Sequence, residues 1–345
     1  MTREPFVMAG KTIQPGKSAI VDIPVSVLSD HTPMSMAAHV LHGKQPGPTV
    51  FVSGAIHGDE IIGVEIVRRL IRTPQLKQLK GTLICVPIVN GYGFINHSRY
   101  LPDRRDLNRS FPGATKGSLA ARLAKIFMTE IVSRCDVGID LHSAAQHRVN
   151  LPQIRIDGGS KRAMELAQAF APPVIILSKL RDGSLRQAAR DLGKDVLVYE
   201  CGEALRFDET ALRIGVTGVL RVMRKLGMLS QDKRMRTPLQ PDISKSSEWM
   251  RATMGGVLRA YKTIGAWVEE GEVVAGLSDP LGQQETEVIS PATGLIIGRT
   301  MLPIVNEGDA LFHIAEVVKP LTEDGHTELE QAFEGHPLFD EDEIL

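Results

Sequence analysis

The stretch "GAIHGDE", residues 54–60, sets a histidine, an aspartate and a glutamate between a run of β type, "PTVFVS", and a helical periodicity, "IIGVEIVRRLIRT". His57 and Glu60 stand three apart at a strand-to-helix turn, the edge at which open α/β sheets bind their ligands. An imidazole and a carboxylate there can fill two of the three protein positions of a catalytic zinc. Alone, the pair also fits a helix start whose acids, Asp59 and Glu60, favour the helix dipole. A third ligand comes from "DVGIDLHSA", a second buried run ending on a polar cluster, which brings His142 to the same kind of edge. Alternation along that strand points Asp140 and His142 to one face. Asp140 can then orient a ligating imidazole, or serve as a structural hydrogen-bond partner in the sheet.

Two further segments carry chemistry. "HSRYLPDRRDLNRSFPG", 97–113, is a polar loop between a strand and a helix, with Arg99, Arg104, Arg105 and Arg109 overhanging the same edge. Guanidinium pairs with carboxylate through two parallel hydrogen bonds, so the loop reads as an anion site. For Arg104 and Arg105 a solvated basic surface is the simpler reading. "VLVYECGE" carries Glu200 to the end of an apolar strand, where a carboxylate is costly unless used or paired, making it the candidate general base. Glu203 reads as an exposed loop residue.

Positioning these groups requires an ordered sheet. Strand-type runs at 48–56, 82–89, 136–141, 174–178 and 196–200 alternate with helical periodicity at 61–73, 118–133, 160–170, 184–192 and 208–227. That alternation predicts an α/β layer with a mixed, mostly parallel sheet flanked by helices. The first 45 residues add two alternating runs, "SAIVDIPVSVL" and "MSMAAHVLHG", expected as strands packed on the larger body. At "LSQDKRMRTPLQPDISKSSEW" the apolar pattern lapses into the charged, Pro- and Ser-containing texture of a linker. Residues 255–315 are all β in texture and hold two similar units containing Glu-Gly-Glu or Glu-Gly-Asp, which predicts a small β-sandwich of biotinyl/lipoyl type. Carriers of that type need a lysine at an exposed hairpin. "SDPLGQQETEVISP" has none, and none occurs between Lys262 and Lys319, so covalent carriage is not expected. The division expected is an α/β hydrolase domain over 1–240, a β-sandwich over 250–318 and an acidic tail over 319–345.

Composition narrows the partners. Forty basic and 41 acidic residues leave a net charge of -1, which gives no global field for nucleic acid or an anionic membrane. A small carboxylate-bearing molecule is the expected partner, with a homo-oligomer left open. Cys85, Cys135 and Cys201 are too few and too far apart for a disulfide framework and fit a reducing compartment. The N-terminal stretch lacks the apolar core of a signal peptide, and no apolar run reaches the roughly 18 to 20 residues of a membrane span, so a cytoplasmic location is expected.

Taken in order, "HGDE" at 57–60, "SRYLPDRRDLNRSFPG" at 98–113, "DLHS" at 140–143 and "YECGE" at 199–203 resemble the zinc-dependent succinylglutamate desuccinylase/aspartoacylase family, itself related to the metallocarboxypeptidases. The 82 positions from Glu60 to His142 match the short spacing of that family. The resemblance covers residues 45–230 closely and the C-terminal β region more loosely. It implies a zinc carboxypeptidase-like fold with one Zn2+ per chain on His57, Glu60 and His142. It further implies that Asn108 and Arg109 grip a substrate carboxylate, Arg99 polarises the scissile carbonyl and Glu200 activates the attacking water. The reaction implied is hydrolysis of an N-acyl amino acid or related small amide. A carboxypeptidase acting on short peptides is the alternative, because the same clamp recognises a peptide terminus. Some relatives place a substrate-contacting tyrosine in the C-terminal domain, where Tyr261 is the only tyrosine here. An acidic substrate side chain would need a further cation, for which Arg148, Arg155, Lys179 and Arg181 are the candidates.

Overall fold

The computed structural model describes residues 3–231 and 240–317. The N-terminal strands are β1 (Phe6–Met8), β2 (Lys11–Ile13), β3 (Lys17–Val27) and β4 (Pro33–His42). The α/β part follows with β5 (Gln45–Gly54), α1 (Ile62–Ile71), β6 (Lys80–Val86), α2 (Gly91–Ile95), α3 (Leu119–Glu130), β7 (Val137–His142) and β8 (Arg148–Ile156). It continues with α4 (Lys161–Phe170), β9 (Val174–Leu177), α5 (Leu185–Asp191), β10 (Asp195–Gly202) and α6 (Glu209–Lys225). Strands alone then follow: β11 (Asp242–Arg251), β12 (Gly256–Ala260), β13 (Trp267–Val268), β14 (Val273–Ser278), β15 (Glu285–Ile289), β16 (Gly294–Thr300), β17 (Ile304–Val305) and β18 (Ala310–Val317).

Twelve strands form one sheet in the order β13-β16-β18-β11-β9-β8-β10-β7-β5-β6-β4-β3. Its central strand β7 is buried along its whole length, as a strand covered on both faces must be. Helices α1, α4 and α6 cover one face through Ile66, Leu70, Leu166, Leu212 and Val219. On the other face Leu123 and Phe127 of α3 and Leu185 of α5 pack with the N-terminal strands. The helix starts are set locally: Ser118, Ser160, Ser184 and Asp208 each accept a hydrogen bond from a backbone N–H of the first turn.

The sheet is mixed rather than mostly parallel. Parallel pairing holds from β6 through β5 and β7 to β10, and again from β8 through β9 to β11. All other neighbours in it are antiparallel. The cause is connection length. The short link between β3 and β4 leaves no room for the crossover that a parallel partner needs, and the short link after β7 sends β8 back antiparallel to it and so to β10, the strand between them.

The C-terminal region is all β, with one departure from expectation. The polar stretch read as a linker holds most of β11, a ten-residue strand held by backbone pairing to β9 and β18 rather than by apolar content. Strands β11, β13, β16 and β18 extend the main sheet, and β12, β14, β15 and β17 form a separate four-stranded sheet. Leu258, Val274, Leu295 and Phe312 belong to the core they share. The acidic tail expected over 319–345 lies outside the described residues. Among those described, no helix is long and apolar enough to cross a membrane.

Candidate active site

Parallel pairing of β5, β7 and β10 brings their C-terminal ends side by side, with Gly54 opposite Leu141 and His142 opposite Glu200. The three polar clusters of the sequence therefore meet at one edge. Helix α1 starts only at Ile62, and its N-cap Ile61 makes no side-chain cap. His57–Glu60 thus forms a turn ahead of the helix, closed by Glu60 N–H donating to the His57 carbonyl at 3.1 Å. This removes the reading of Glu60 as a first-turn helix acid.

Gly58 is fixed by close approach: a Cβ there would lie 1.9 Å from the Gly93 carbonyl carbon and 2.2 Å from the Phe94 nitrogen. These are backbone atoms at the centre of α2 and cannot yield as a side chain would. Gly58→Ala is expected to push the turn off α2 and to weaken metal binding together with thermal stability, by about 1–3 kcal/mol in the latter. Calorimetric titration with zinc and a melting curve on one preparation would check both; an unchanged zinc affinity would show that the turn adapts.

His57, Glu60 and His142 are all buried, and one donor atom from each lies within 4.8 Å of the others. Glu60 stands between the rings, with Oε1 2.6 Å from His57 Nδ1 and Oε2 2.7 Å from His142 Nδ1. Each remote nitrogen meets its own carboxylate. His57 Nε2 lies 3.0 Å from Asp106 and His142 Nε2 2.7 Å from Asp140, whose other oxygen accepts from the Ser53 hydroxyl. Burial alone would lower both imidazoles. The acids reverse this, Glu60 and Asp106 raising His57, and Asp140 and Glu60 raising His142 well above its ordinary value. Burial likewise favours a neutral Glu60, and the two imidazoles hold it well below the usual carboxylate range.

That electrostatic pattern fits a divalent cation. Arg99 joins the two rings in facing these acids, donating to Glu60 at 3.2 Å and to Asp106 at 2.9 Å. His57, Glu60 and His142 would hold a divalent ion between their converging donor atoms, its charge offsetting that of the acids. The remote nitrogens keep the carboxylate partners typical of ligating histidines. Two imidazoles and a carboxylate are a donor set that suits zinc with a coordination position left open.

A cavity of about 250 Å³ adjoins the trio and is lined by all seven residues expected at the site: His57, Glu60, Arg99, Asn108, Arg109, His142 and Glu200. Asn108 Oδ1 accepts from the Leu185 N–H at 2.9 Å, which leaves its NH2 group as the donor available to a ligand. Glu200 Oε2 accepts from Asn150 at 3.1 Å, and its Oε1 lies 3.9 Å from Arg155 Nε. Of the four further cations considered, Arg148, Arg155 and Arg181 line the cavity and Lys179 does not. Arg104 and Arg105 are also absent from its lining, and Glu203 secures a loop by accepting from the His147 N–H at 2.8 Å. Tyr261 is half exposed on the smaller sheet beside Arg259, away from the cavity.

Three residues of the site were not read from the sequence. Asp106 sits among other charged residues, and its bond to His57 spans 49 positions. Asn150 lies on β8, a strand interrupted by Pro152. Trp249 of β11 lines the cavity from within the supposed linker, stacked on His313 at 4.6 Å and overlain by Arg148. A tryptophan in an otherwise polar run was the one available signal.

Parallel strands delivering three convergent donors and a neighbouring carboxylate to one sheet edge define an α/β enzyme with a site competent for metal. Sequence comparison supplies the family. The succinylglutamate desuccinylase/aspartoacylase catalytic domain matches residues 46–226, and the chain belongs to that family of enzymes, which hydrolyse linear amides. A relative, the N-alpha-acetyl-L-2,4-diaminobutyric acid deacetylase of Halomonas elongata, is 29% identical over 289 residues, covering 80% of this chain and 84% of its own. The crystal structure of a succinylglutamate desuccinylase from Silicibacter sp. TM1040 superposes with a TM-score of 0.77 at 24% identity, over 87% of this chain and 94% of that one. The product-bound ectoine utilization protein EutE (DoeB) from Ruegeria pomeroyi gives 0.76 at 23% identity, with the same coverages of 87% and 94%. At these identities the two structures establish a shared fold.

Proposed function

We propose that the protein removes the acyl group from a small N-acyl amino acid carrying a second negative charge, with zinc held by His57, Glu60 and His142. The observation that carries this reading is a single cavity lined by those three donors, by Glu200 and by five arginines, Arg99, Arg109, Arg148, Arg155 and Arg181. The name of the Halomonas elongata relative supports the reaction type, since that protein deacetylates a small N-acetylated amino acid. The ligand-bearing sheet edge also accords with a zinc carboxypeptidase-like arrangement.

When bound, zinc supplies Lewis acidity and lowers the pKa of water toward neutrality. The rest of the chemistry belongs to the chain. Glu200 takes the proton of the attacking water and passes it to the leaving amine. Arg99, fixed by Glu60 and Asp106, donates toward the carbonyl oxygen as negative charge develops there. The Asn108 amide and the Arg109 guanidinium hold the α-carboxylate, which sets the amide bond at the base. Among the described residues Arg148 and Arg181 line the cavity and form no ion pair, so their charge is available to a second carboxylate, on the acyl group or on the side chain.

Cavity size opposes the peptide alternative. About 250 Å³ lies below the roughly 300–1,000 Å³ of common ligand pockets and suits a small acyl amino acid. The test is hydrolysis of N-acetyl, N-succinyl and N-formyl derivatives of aspartate, glutamate, alanine and 2,4-diaminobutyrate, beside dipeptides, by zinc-loaded and chelated enzyme. Zinc-dependent release is expected from a dianionic member, with the diaminobutyrate derivative the poorest amino-acid substrate. Preference for the cationic derivative would remove the second-anion assignment, and turnover of dipeptides alone would replace deacylation with peptide cleavage.

A further inference from the structure

One row of the sheet crosses the cavity wall. Trp249 is opposite His313, His313 opposite Gly298, Gly298 opposite Asn150, and Asn150 opposite Gly202. Asn150 is therefore flanked on both sides by glycine. Its side chain is nearly buried, at 7% exposure, and donates to Glu200 Oε2 across the irregularity in pairing between Glu200 and Gly202. On the other side the fit is close: a Cβ on Gly298 would lie 2.9 Å from Asn150 Oδ1. Gly298 belongs to β16, some hundred residues beyond Glu200 and outside the segment matched to the family's catalytic domain.

We propose that Asn150 is the positioning residue for Glu200, and that strand β16 seats it at Gly298, so that the C-terminal strands set the orientation of the base. A carboxylate that shuttles a proton needs one oxygen anchored and the other turned to the reaction. The Asn150 donor anchors Oε2 and leaves Oε1, whose neighbour Arg155 Nε stands off at 3.9 Å, as the working oxygen. Gly298 keeps the space in which the Asn150 amide can turn its NH2 toward Glu200. A methyl group there displaces Oδ1, and with it the donor. Gly298 has an ordinary extended backbone rather than a left-handed one, so a methyl there meets contacts rather than backbone strain, the closest being Asn150 Oδ1 and the next the Val149 carbonyl oxygen at 3.3 Å.

This inference rests on the assignment of Glu200 as base, and the experiment separates the two. Steady-state kinetics and zinc content would be measured for Glu200→Ala, Asn150→Ala, Asn150→Asp, Gly298→Ala and the Asn150→Ala/Gly298→Ala double variant. Loss of a hydrogen bond to a charged group corresponds to about tenfold or more, so Asn150→Ala should lower kcat by that factor, with KM within about twofold and zinc retained. Asn150→Asp, which keeps the shape and removes the donor, should lose at least as much. Gly298→Ala should lose several-fold alone and nothing further in the Asn150→Ala background, because both act through one amide. Wild-type kcat in Asn150→Asp, or additive losses in the double variant, would overturn the proposal while leaving Glu200 in place. Full activity in Glu200→Ala would remove the base assignment and this inference with it.

Discussion

Replacing Glu200 with alanine is expected to leave zinc content and folding intact and to lower kcat by about 10²–10⁴-fold, the range supplied by a positioned general acid–base. Stability should change little. The side chain is 21% exposed and its one close bond is to Asn150, which loses an acceptor at the cavity wall rather than in the core. Metal content should hold, because the three candidate ligands take their orientation from Asp106, Asp140 and Arg99 and not from Glu200. Glu200→Gln provides the matched control, preserving shape and one acceptor oxygen while removing the basicity. If it is as slow as Glu200→Ala, the loss is one of proton transfer; recovery in Glu200→Gln would make the role one of packing or substrate contact. Metal analysis and melting curves on the same preparations complete the measurement. A variant without zinc would show Glu200 to be part of the metal site's support.

The groups most legible in the sequence are those whose position depends on a strand end. Periodicity places the runs that become β5, β7 and β10, and parallel pairing then brings His57, His142 and Glu200 together with no further information. The helices α1 and α3 to α6 are legible for a similar local reason, an apolar stripe behind a serine or aspartate cap in four of the five. What escapes is set by partners distant in sequence. Asp106 takes its role from meeting His57 and Arg99, and nothing in "PDRRDLNR" separates it from Asp103, which accepts from the Ala120 N–H at the start of α3 instead. Strand β8 carries Pro152, which argues against a central strand, and it is held there by β9, β10 and β16. Strand β11 has four consecutive exposed residues, and its place between β9 and β18 is a matter of backbone pairing. The same long-range pairing brings Trp249 to the cavity wall and Gly298 against Asn150, so the C-terminal strands bear on the site in a way that local texture does not reveal.

Glu60→Gln should have the largest effect of any single change at the metal site, abolishing stoichiometric zinc and lowering stability by about 3–5 kcal/mol, the usual consequence of removing one partner from a buried charge cluster. Glu60 is 2% exposed and receives four groups: His57, His142, Arg99 and the Ser143 backbone N–H at 3.1 Å. Glutamine matches the shape but presents one acceptor oxygen and one NH2, so one ring must face a donor across a contact of 2.6 or 2.7 Å. It also removes the negative charge between two imidazoles whose centroids are 5.1 Å apart. Those rings then either give up their protons or repel each other, and an ion placed there loses its only anionic ligand. Asp140→Asn provides the graded comparison. It alters the orientation of His142 without removing a ligand, for which about 10–100-fold in metal affinity or activity is typical. Competition against a chromogenic chelator would give both affinities, and melting curves with and without zinc would separate the metal's contribution from that of the charge cluster. Stoichiometric zinc and an unaltered melting temperature in Glu60→Gln would exclude Glu60 as a ligand and reduce the trio to a buried hydrogen-bond network.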